Sequence, residues 1–375
     1  MLQAEVLTEL KDVQQFASRW EDLAVACRRP RAVPAFVLAW YRHGLGADSL
    51  IRVVVVTDGS QLIAVAPFFV RRSGYGFYNY ASPLPSLNGV QPLCAPGRVQ
   101  EAGLSLGAAL AAADPTPDVL SLDWITSDGP LPGAIREGWP RRSPAMIEHQ
   151  DVAIPTIAVP PGGFDEWLAG RSRGFRQRFQ SLFTKLRDAG FERRMVQDHA
   201  ALLDRLPAHK ELCERRREAR GGSGGAFDDT LMAVLINGIA SSAPGNVRLS
   251  TLERDGEVIA SHLVIAAGGA SSGWQAGFEE KWANLGPGKV NTIMCVADAM
   301  DAGDAIFDMG PGAGSFKESF TSDAMTLRET ILVRRGLRPL HSPAQFIPYR
   351  TRKSAARLLH LRPRPNPGSE PPAPE

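Results

Sequence analysis

Apolar residues recur along this chain in two rhythms, and the switches between them mark its elements. Val13, Phe16, Trp20, Leu23 and Ala24 fall at helical spacing, which predicts an amphipathic helix over Lys11–Cys27; a shorter helix follows over Pro34–His43. From Ile51 to Val70 two β-rich runs flank Asp58-Gly59, a pair suited to the positive φ angles of a tight hairpin turn. Gly103–Ala113 reads as helix and Asp118–Ile125 as strand. Pro-rich text from Pro130 to Pro161 reads as a connector, with a short strand near Ile157. A long helical pattern then covers Phe164–Ala189 and stops at Gly190. Glu211–Arg220 is a charged helix end followed by the glycine-rich 221–225, and Asp228–Ala240 carries Leu231, Val234, Leu235 and Ile239 on one helical face.

Val247–Ile265 repeats the earlier hairpin: an arginine-led strand, Asp255-Gly256, then Ile259-Ala260 opening a second apolar strand. Two ordinary hairpins explain this echo, and so does a duplicated α/β unit on each side of the connector. Ser272–Phe278 reads as strand, Val290–Met300 as helix, and Ala305–Asp308 and Thr326–Arg334 as two more strands. From Pro363 onward the Pro-rich tail buries too little apolar surface to order itself.

The length of 375 residues favours two domains, and 44% hydrophobic with 22% charged residues is ordinary for a soluble protein. A formal charge of +2 gives no global field that draws nucleic acid. Cys27, Cys94, Cys213 and Cys295 stand singly and the seven histidines show no metal-ligand spacing. The N-terminus lacks a secretory pattern, and no apolar run reaches the roughly 18 residues of a membrane span. The expectation is a cytoplasmic protein with reduced thiols and no metal.

The candidate chemistry lies between Trp274 and Phe320. Gly286-Pro287-Gly288-Lys289 joins a predicted strand to a predicted helix, where free amides and the helix dipole attract an anion; a plain structural turn explains it as well. The spacing fits neither a Walker loop nor a dinucleotide fingerprint. A second glycine-rich loop, Gly310-Pro-Gly312-Ala-Gly314, leads to Phe316-Lys317. Lys317 can aim a cation at the same place or pair with Glu318. His262 in an apolar strand is a candidate base or a core histidine. Asp308 orients an amine or Lys317, or caps a turn; Trp274 and Phe278 line an acceptor pocket or pack in a core.

Asp255-Gly256, Ile259-Ala260, Leu285-Gly286-Pro287-Gly288, Phe307-Asp308, Gly310, Gly312 and Phe316-Lys317-Glu-Ser-Phe320 follow one another in an order that resembles the GNAT-type acetyltransferase domain of the CelD/BcsL family, a relative of FemAB-type peptidyl transferases. The likeness runs from about residue 150 to 340, with a fainter one over the N-terminal half. Gly286 stands where the family commonly has Ser, and Phe316 where it has Tyr. The resemblance implies an α/β fold of tandem GNAT-like units, each a mixed, mostly antiparallel sheet flanked by helices. The units would be residues 1–150 and 151–340, followed by a basic, Pro-rich tail over 341–375.

It further implies an acyl-CoA-dependent N-acyltransferase without a metal, acting directly on an amine or amino-sugar acceptor of envelope polysaccharide or secondary metabolism. Leu285, Gly286, Gly288, Lys289 and Val290 would hold the pyrophosphate of acetyl-CoA or another acyl-CoA. Lys317, His262 and Asp308 would be catalytic, and Trp274, Phe278 and Phe316 would bind substrate. The alternatives are an aminoacyl-tRNA-dependent aminoacyltransferase and a non-catalytic binding protein that keeps the fold. Arg171, Arg173, Arg176, Arg178, Lys185 and Arg187 crowd one stretch without an acid, and Arg350, Arg352, Lys353, Arg357, Arg362 and Arg364 fill the tail. Such cations form a solvated face, or meet an anionic glycan or peptide precursor, a membrane surface or, under the alternative, tRNA.

Overall fold

The computed structural model describes residues 2–335 apart from 74–75, 85–89, 141, 150, 220–226, 312–314 and 322. The glycine-rich 221–225, Gly312 and Gly314, and the whole tail 341–375 with its cations lie outside the described residues. The first half runs β1 (Gln3–Leu7), α1 (Leu10–Gln14), α2 (Ala17–Ala26), α3 (Pro34–His43), β2 (Ser49–Asp58), β3 (Gln61–Arg72), β4 (Tyr78–Ala81), β5 (Leu93–Cys94), α4 (Val99–Ala112) and β6 (Val119–Thr126). The connector holds α5 (Leu131–Glu137), β7 (Ala145–Glu148) and β8 (Val152–Ala158). Then come α6 (Gly163–Ala169), α7 (Arg173–Asp188), β9 (Glu192–Val196), α8 (His199–Ala219), α9 (Asp229–Ser241), β10 (Val247–Arg254), β11 (Glu257–Ala267) and β12 (Ala270–Phe278). α10 (Pro287–Asp301), β13 (Ile306–Asp308), α11 (Ser315–Glu318) and β14 (Ala324–Val333) complete the order.

Both Asp-Gly turns close the hairpins expected of them. Asp255 and Gly256 sit at φ 52° and 81° between paired Arg254 and Glu257, and Gly59 at φ 57° lies between paired Asp58 and Gln61. Two predicted helices are each broken in two. The Gln15 and Phe16 N–H groups reach back three residues, to Asp12 and Val13, and this tight turn separates α1 from α2. Ser172 accepts the Phe175 N–H at 3.2 Å as the cap that starts α7 afresh after α6.

The strands form one 14-stranded sheet in the order β1-β2-β3-β4-β6-β14-β8-β13-β12-β11-β10-β9, with β5 on β3 and β7 on β14. This order is nearly palindromic. Each half has a run of antiparallel strands, a parallel pair (β4 with β6, β12 with β13), then an antiparallel neighbour. That last neighbour is exchanged: β14 from the end of the chain pairs with β6, while β8 from the connector pairs with β13. The Pro-rich connector thus places a strand at the centre of the sheet: the short strand expected near Ile157 is β8, and its central position is what the sequence did not show.

One hydrophobic core fills the first half and continues into α9 and one face of β10 and β11, through Leu235, Leu249 and Leu263. α9 lies so close to α3 that a side chain on Gly238 would collide with the Phe36 ring. The second core gathers Ile157, Phe179, Val290, Phe307 and Phe320 around α10. Between β6 and β14, Trp124 at φ 59° lies within a bulge opposite Glu329. Burial raises the Glu329 carboxyl to about 8, with the Asp123 carboxylate adding to the shift. Burial also lifts Asp123 to about 6, against the Ser82 hydroxyl.

Candidate functional site

β12 and β13 run parallel for three residues only, Ala270–Ser272 beside Ile306–Asp308, and then part. β12 continues through Gly273–Phe278, paired with β11 but with no neighbour on the β13 side among the described residues. A bulge leaves Trp274 as the extra residue, since Val264 pairs with Gly273 and Leu263 with Gln275. The result is a wedge with an open strand edge of about 17 Å, five residue steps at strand rise. Two side chains cap part of that edge: Arg31 donates to the Gly273 carbonyl at 3.2 Å, and Arg216 to the Ala276 carbonyl at 3.0 Å. The remaining backbone polar groups of this edge still need partners.

At the apex of the wedge the structure brings Lys317, Asp308 and His262 near one another. Lys317 Nζ donates to the carbonyls of Gly310 at 2.8 Å and Pro311 at 3.0 Å, and these, not Glu318, are its partners. Burial pushes its pKa down to about 8; Asp308 opposes this, while Arg31 and Arg216 add to it. Asp308 Oδ1 accepts the Gly310 N–H at 2.6 Å, and its Oδ2 accepts the Ser272 hydroxyl at 3.0 Å. Gly310, at φ 75°, has the backbone this turn needs.

His262 is buried against β12, and a methyl group on Gly273 would come within 2.7 Å of its Nε2. Its Nδ1 is buried without a partner among the described residues. Burial, reinforced by His209, Arg216 and Lys317, lowers its pKa to about 3, so the ring is neutral at ordinary pH.

At the other end of the open edge, Gly286 takes φ 63° and caps α10. Pro287 has no N–H, and the Lys289 and Val290 amides turn back to the Gly286 carbonyl at 3.0 and 3.1 Å. The Gly288 N–H is therefore the one amide of this turn without a backbone acceptor among the described residues. A Cβ on Gly288 would lie 2.6 Å from the Phe278 ring, which also stacks under the Arg216 guanidinium at 5.4 Å. Val290 buries its side chain in the second core and Leu285 packs partly buried against it, so their backbone is what they offer most freely to a ligand.

Lys289 lies 5.4 Å from the centre of the exposed Phe316 ring. Its pKa is held down by burial and then by Arg178 of α7, a second cation at the same turn. Trp274 packs edge-on against Phe36 at 4.9 Å, between the two halves of the chain, with its indole N–H unpartnered among the described residues.

Sequence reasoning missed Arg29, Arg31, Ser272 and Arg216. Arg31 Nε donates to Ser272 Oγ at 2.7 Å, and its Nη2 lies 3.7 Å from Asp308 Oδ2. The visible signal was the short basic stretch Arg28-Arg29-Pro30-Arg31, which nothing local ties to a site far along the chain. Among the described residues no three His, Cys, Asp or Glu side chains converge as a metal set, and no helix is long and apolar enough to cross a membrane.

Residues 173–318 match the family described as an acetyltransferase (GNAT) domain. Among solved structures, FemX superposes with a TM-score of 0.60 at 11% identity, covering 90% of this chain and 99% of its own. The C-terminal domain of a putative lysylphosphatidylglycerol synthetase from Agrobacterium fabrum gives 0.55 at 9% identity, covering 87% and 94%. A conserved protein of unknown function from Bacteroides thetaiotaomicron gives 0.50 at 11%, covering 89% and 100%. Comparison with curated proteins finds no match. At these identities the structures speak for the fold, which is GNAT-like: a large mixed sheet flanked by helices, with its strand order repeated in two halves.

Proposed function

We propose that the chain is an acyl-CoA-dependent N-acyltransferase of the CelD/BcsL type, acylating an amine or amino-sugar acceptor. What carries this reading is the wedge between β12 and β13, which has an open strand edge, a cationic turn at one end and a polar cluster at the other. A bound acyl-CoA supplies a thioester carbonyl that an amine attacks, forming the C–N bond as the C–S bond breaks and the thiolate takes up a proton.

The Gly288 N–H, Lys289 and Arg178 fit a pyrophosphate, since two cations meet there without an acid to pair them among the described residues. The unpaired edge of Gly273–Phe278 hydrogen-bonds amides of an extended ligand in the manner of an added strand. Lys317, fixed by two carbonyls, lays positive charge at the apex where an oxyanion develops. Asp308 holds the glycine loop through Gly310 and keeps Ser272 in place, and the neutral His262 ring, with its Nε2 toward Gly273, is the candidate to relay the amine's proton.

Calorimetry with acetyl-CoA tests the donor: binding is expected, and Gly288→Val, which drives a side chain into Phe278, should weaken it about tenfold, or 1.4 kcal/mol. Absence of acetyl-CoA binding to the unmutated protein refutes the reading. The exposed cations Arg173, Arg176, Arg178, Lys185 and Arg187 of α7 favour a second reading, in which the acyl group arrives on tRNA. Salt-sensitive retention of aminoacyl-tRNA in place of acetyl-CoA would select it.

A further inference from the structure

The apex of the wedge carries more positive charge than acyl transfer to a neutral amine requires. Arg29 and Arg31 reach it from the first half of the chain, Arg216 from α8 and Lys317 from α11. Asp308 is the one carboxylate that the described residues set among them. Arg28, at φ 52°, turns the chain sharply after α2, and the 3-10 helix Pro30–Ala32 then packs on β11 and β12.

Arg29 is the most telling of the four. Its guanidinium is largely desolvated, yet its one hydrogen bond among the described residues goes from Nη1 to the Met325 thioether at 3.3 Å, a weak acceptor. Its other N–H groups are neither bonded nor sealed from solvent. The Asp308 carboxylate offsets this desolvation only in part, so the guanidinium keeps N–H groups free to take an anion. The donor's phosphates are assigned to the Gly288 N–H, Lys289 and Arg178 at the Gly286 turn, a set that shares no residue with the contacts of Arg29 and Arg31 to Met325, Ser272 and Gly273.

We propose that Arg29 and Arg31 form an anion subsite for the acceptor, which carries a carboxylate or phosphate close to its reacting amine. This deepens the N-acyltransferase reading and rests on it for the word acceptor; the anion subsite itself stands on Arg29 and Arg31. Burial is the first cause that keeps His262 neutral; the same anion would offset the added charges of Arg216 and Lys317 and so raise the pKa of that ring.

The test uses the full-length protein saturated with CoA, titrated calorimetrically with inorganic phosphate, acetate and, as a neutral control, acetamide. Phosphate or acetate should bind and acetamide should not; whichever anion binds tighter names the group on the acceptor. Arg29→Gln should weaken that binding at least tenfold and Arg29→Lys less, while Arg42→Gln at the exposed end of α3 leaves it unchanged. Melting curves confirm that each variant is folded. The His262 imidazole resonance should titrate at higher pH with the anion bound. If neither anion binds, or if a folded Arg29→Gln protein binds as the unmutated one does, the subsite is refuted. If CoA fails to bind while phosphate still depends on Arg29, the subsite stands and the acyl-CoA reading falls.

Discussion

Arg31 donates to the carbonyl of Gly273 at 3.2 Å across 242 residues of sequence. The bond falls on the residue at which β12 leaves β13, so a side chain from the first half of the chain helps to shape the wedge in the second. Arg31→Met removes this bond and the one to Ser272, hydrogen bonds from a charged donor worth about 1.5–3 kcal/mol each. We expect kcat/KM for acyl transfer to fall at least tenfold while acetyl-CoA affinity, assigned to the Gly286 turn, stays within twofold. An equal loss of acetyl-CoA affinity would show that Arg31 serves the donor instead.

Lys317 sets a pH limit. Its ammonium form makes the bonds to Gly310 and Pro311, and its pKa is depressed to about 8. Activity that needs this cation is complete below pH 7 and declines as pH rises through about 8. Lys317→Arg, charged throughout this range, should move the decline upward. Asp308→Asn should move it downward, because the Asp308 carboxylate raises the Lys317 pKa and its removal leaves burial and the neighbouring arginines unopposed. Rate profiles from pH 6 to 10 check both shifts, and a decline that stays in place in both variants rules Lys317 out as its source.

Both hairpins were legible in the sequence because an Asp-Gly turn and period-two strands are local signals, and the Gly286 turn was legible because a glycine before a helix is local too. Asp308 and Lys317 were legible together because both flank one glycine-rich loop, but nothing local in the sequence brings His262 of β11 to them. The exchange of β8 and β14 was hidden, since an apolar strand does not encode which distant edge it joins. Arg29 and Arg31 were hidden for the same reason: their neighbours on β12 and β14 lie more than 200 residues away. The broken helix at Ser172 was within reach, because a serine three residues before Phe175 is a recognisable cap.

Glu329 and Asp123 make stability fall with rising pH. Glu329 has its folded pKa raised from 4.5 to about 8, so the folded state holds its proton more tightly than the unfolded chain. The stability gained is complete below the unfolded value and is lost as pH rises through about 8. Asp123, raised from 3.8 to about 6, acts in the same direction at lower pH. The melting temperature should therefore be higher at pH 5 than at pH 8.5. Glu329→Gln should flatten the slope and melt above the unmutated protein at pH 8.5, by on the order of 2 °C. A slope unchanged in this variant would assign the effect to other groups.

The exchanged strands predict what happens when the chain is cut. A fragment of residues 1–150 keeps β6 but loses β14, which pairs with it from Leu327 to Val333. On the other side, β6 pairs with β4 over only two residues, so the fragment presents an almost bare apolar strand edge. It also loses the buried side chains of Ile331, Leu332 and Val333, worth roughly 1.5–3 kcal/mol each on full burial. We expect this fragment to aggregate or to be cleaved rapidly by protease, and to become resistant when residues 324–333 are joined to its end through a flexible linker. Cooperative melting of the unmodified fragment at the temperature of the whole protein would mean that β14 is dispensable to the first half, whatever its pairing.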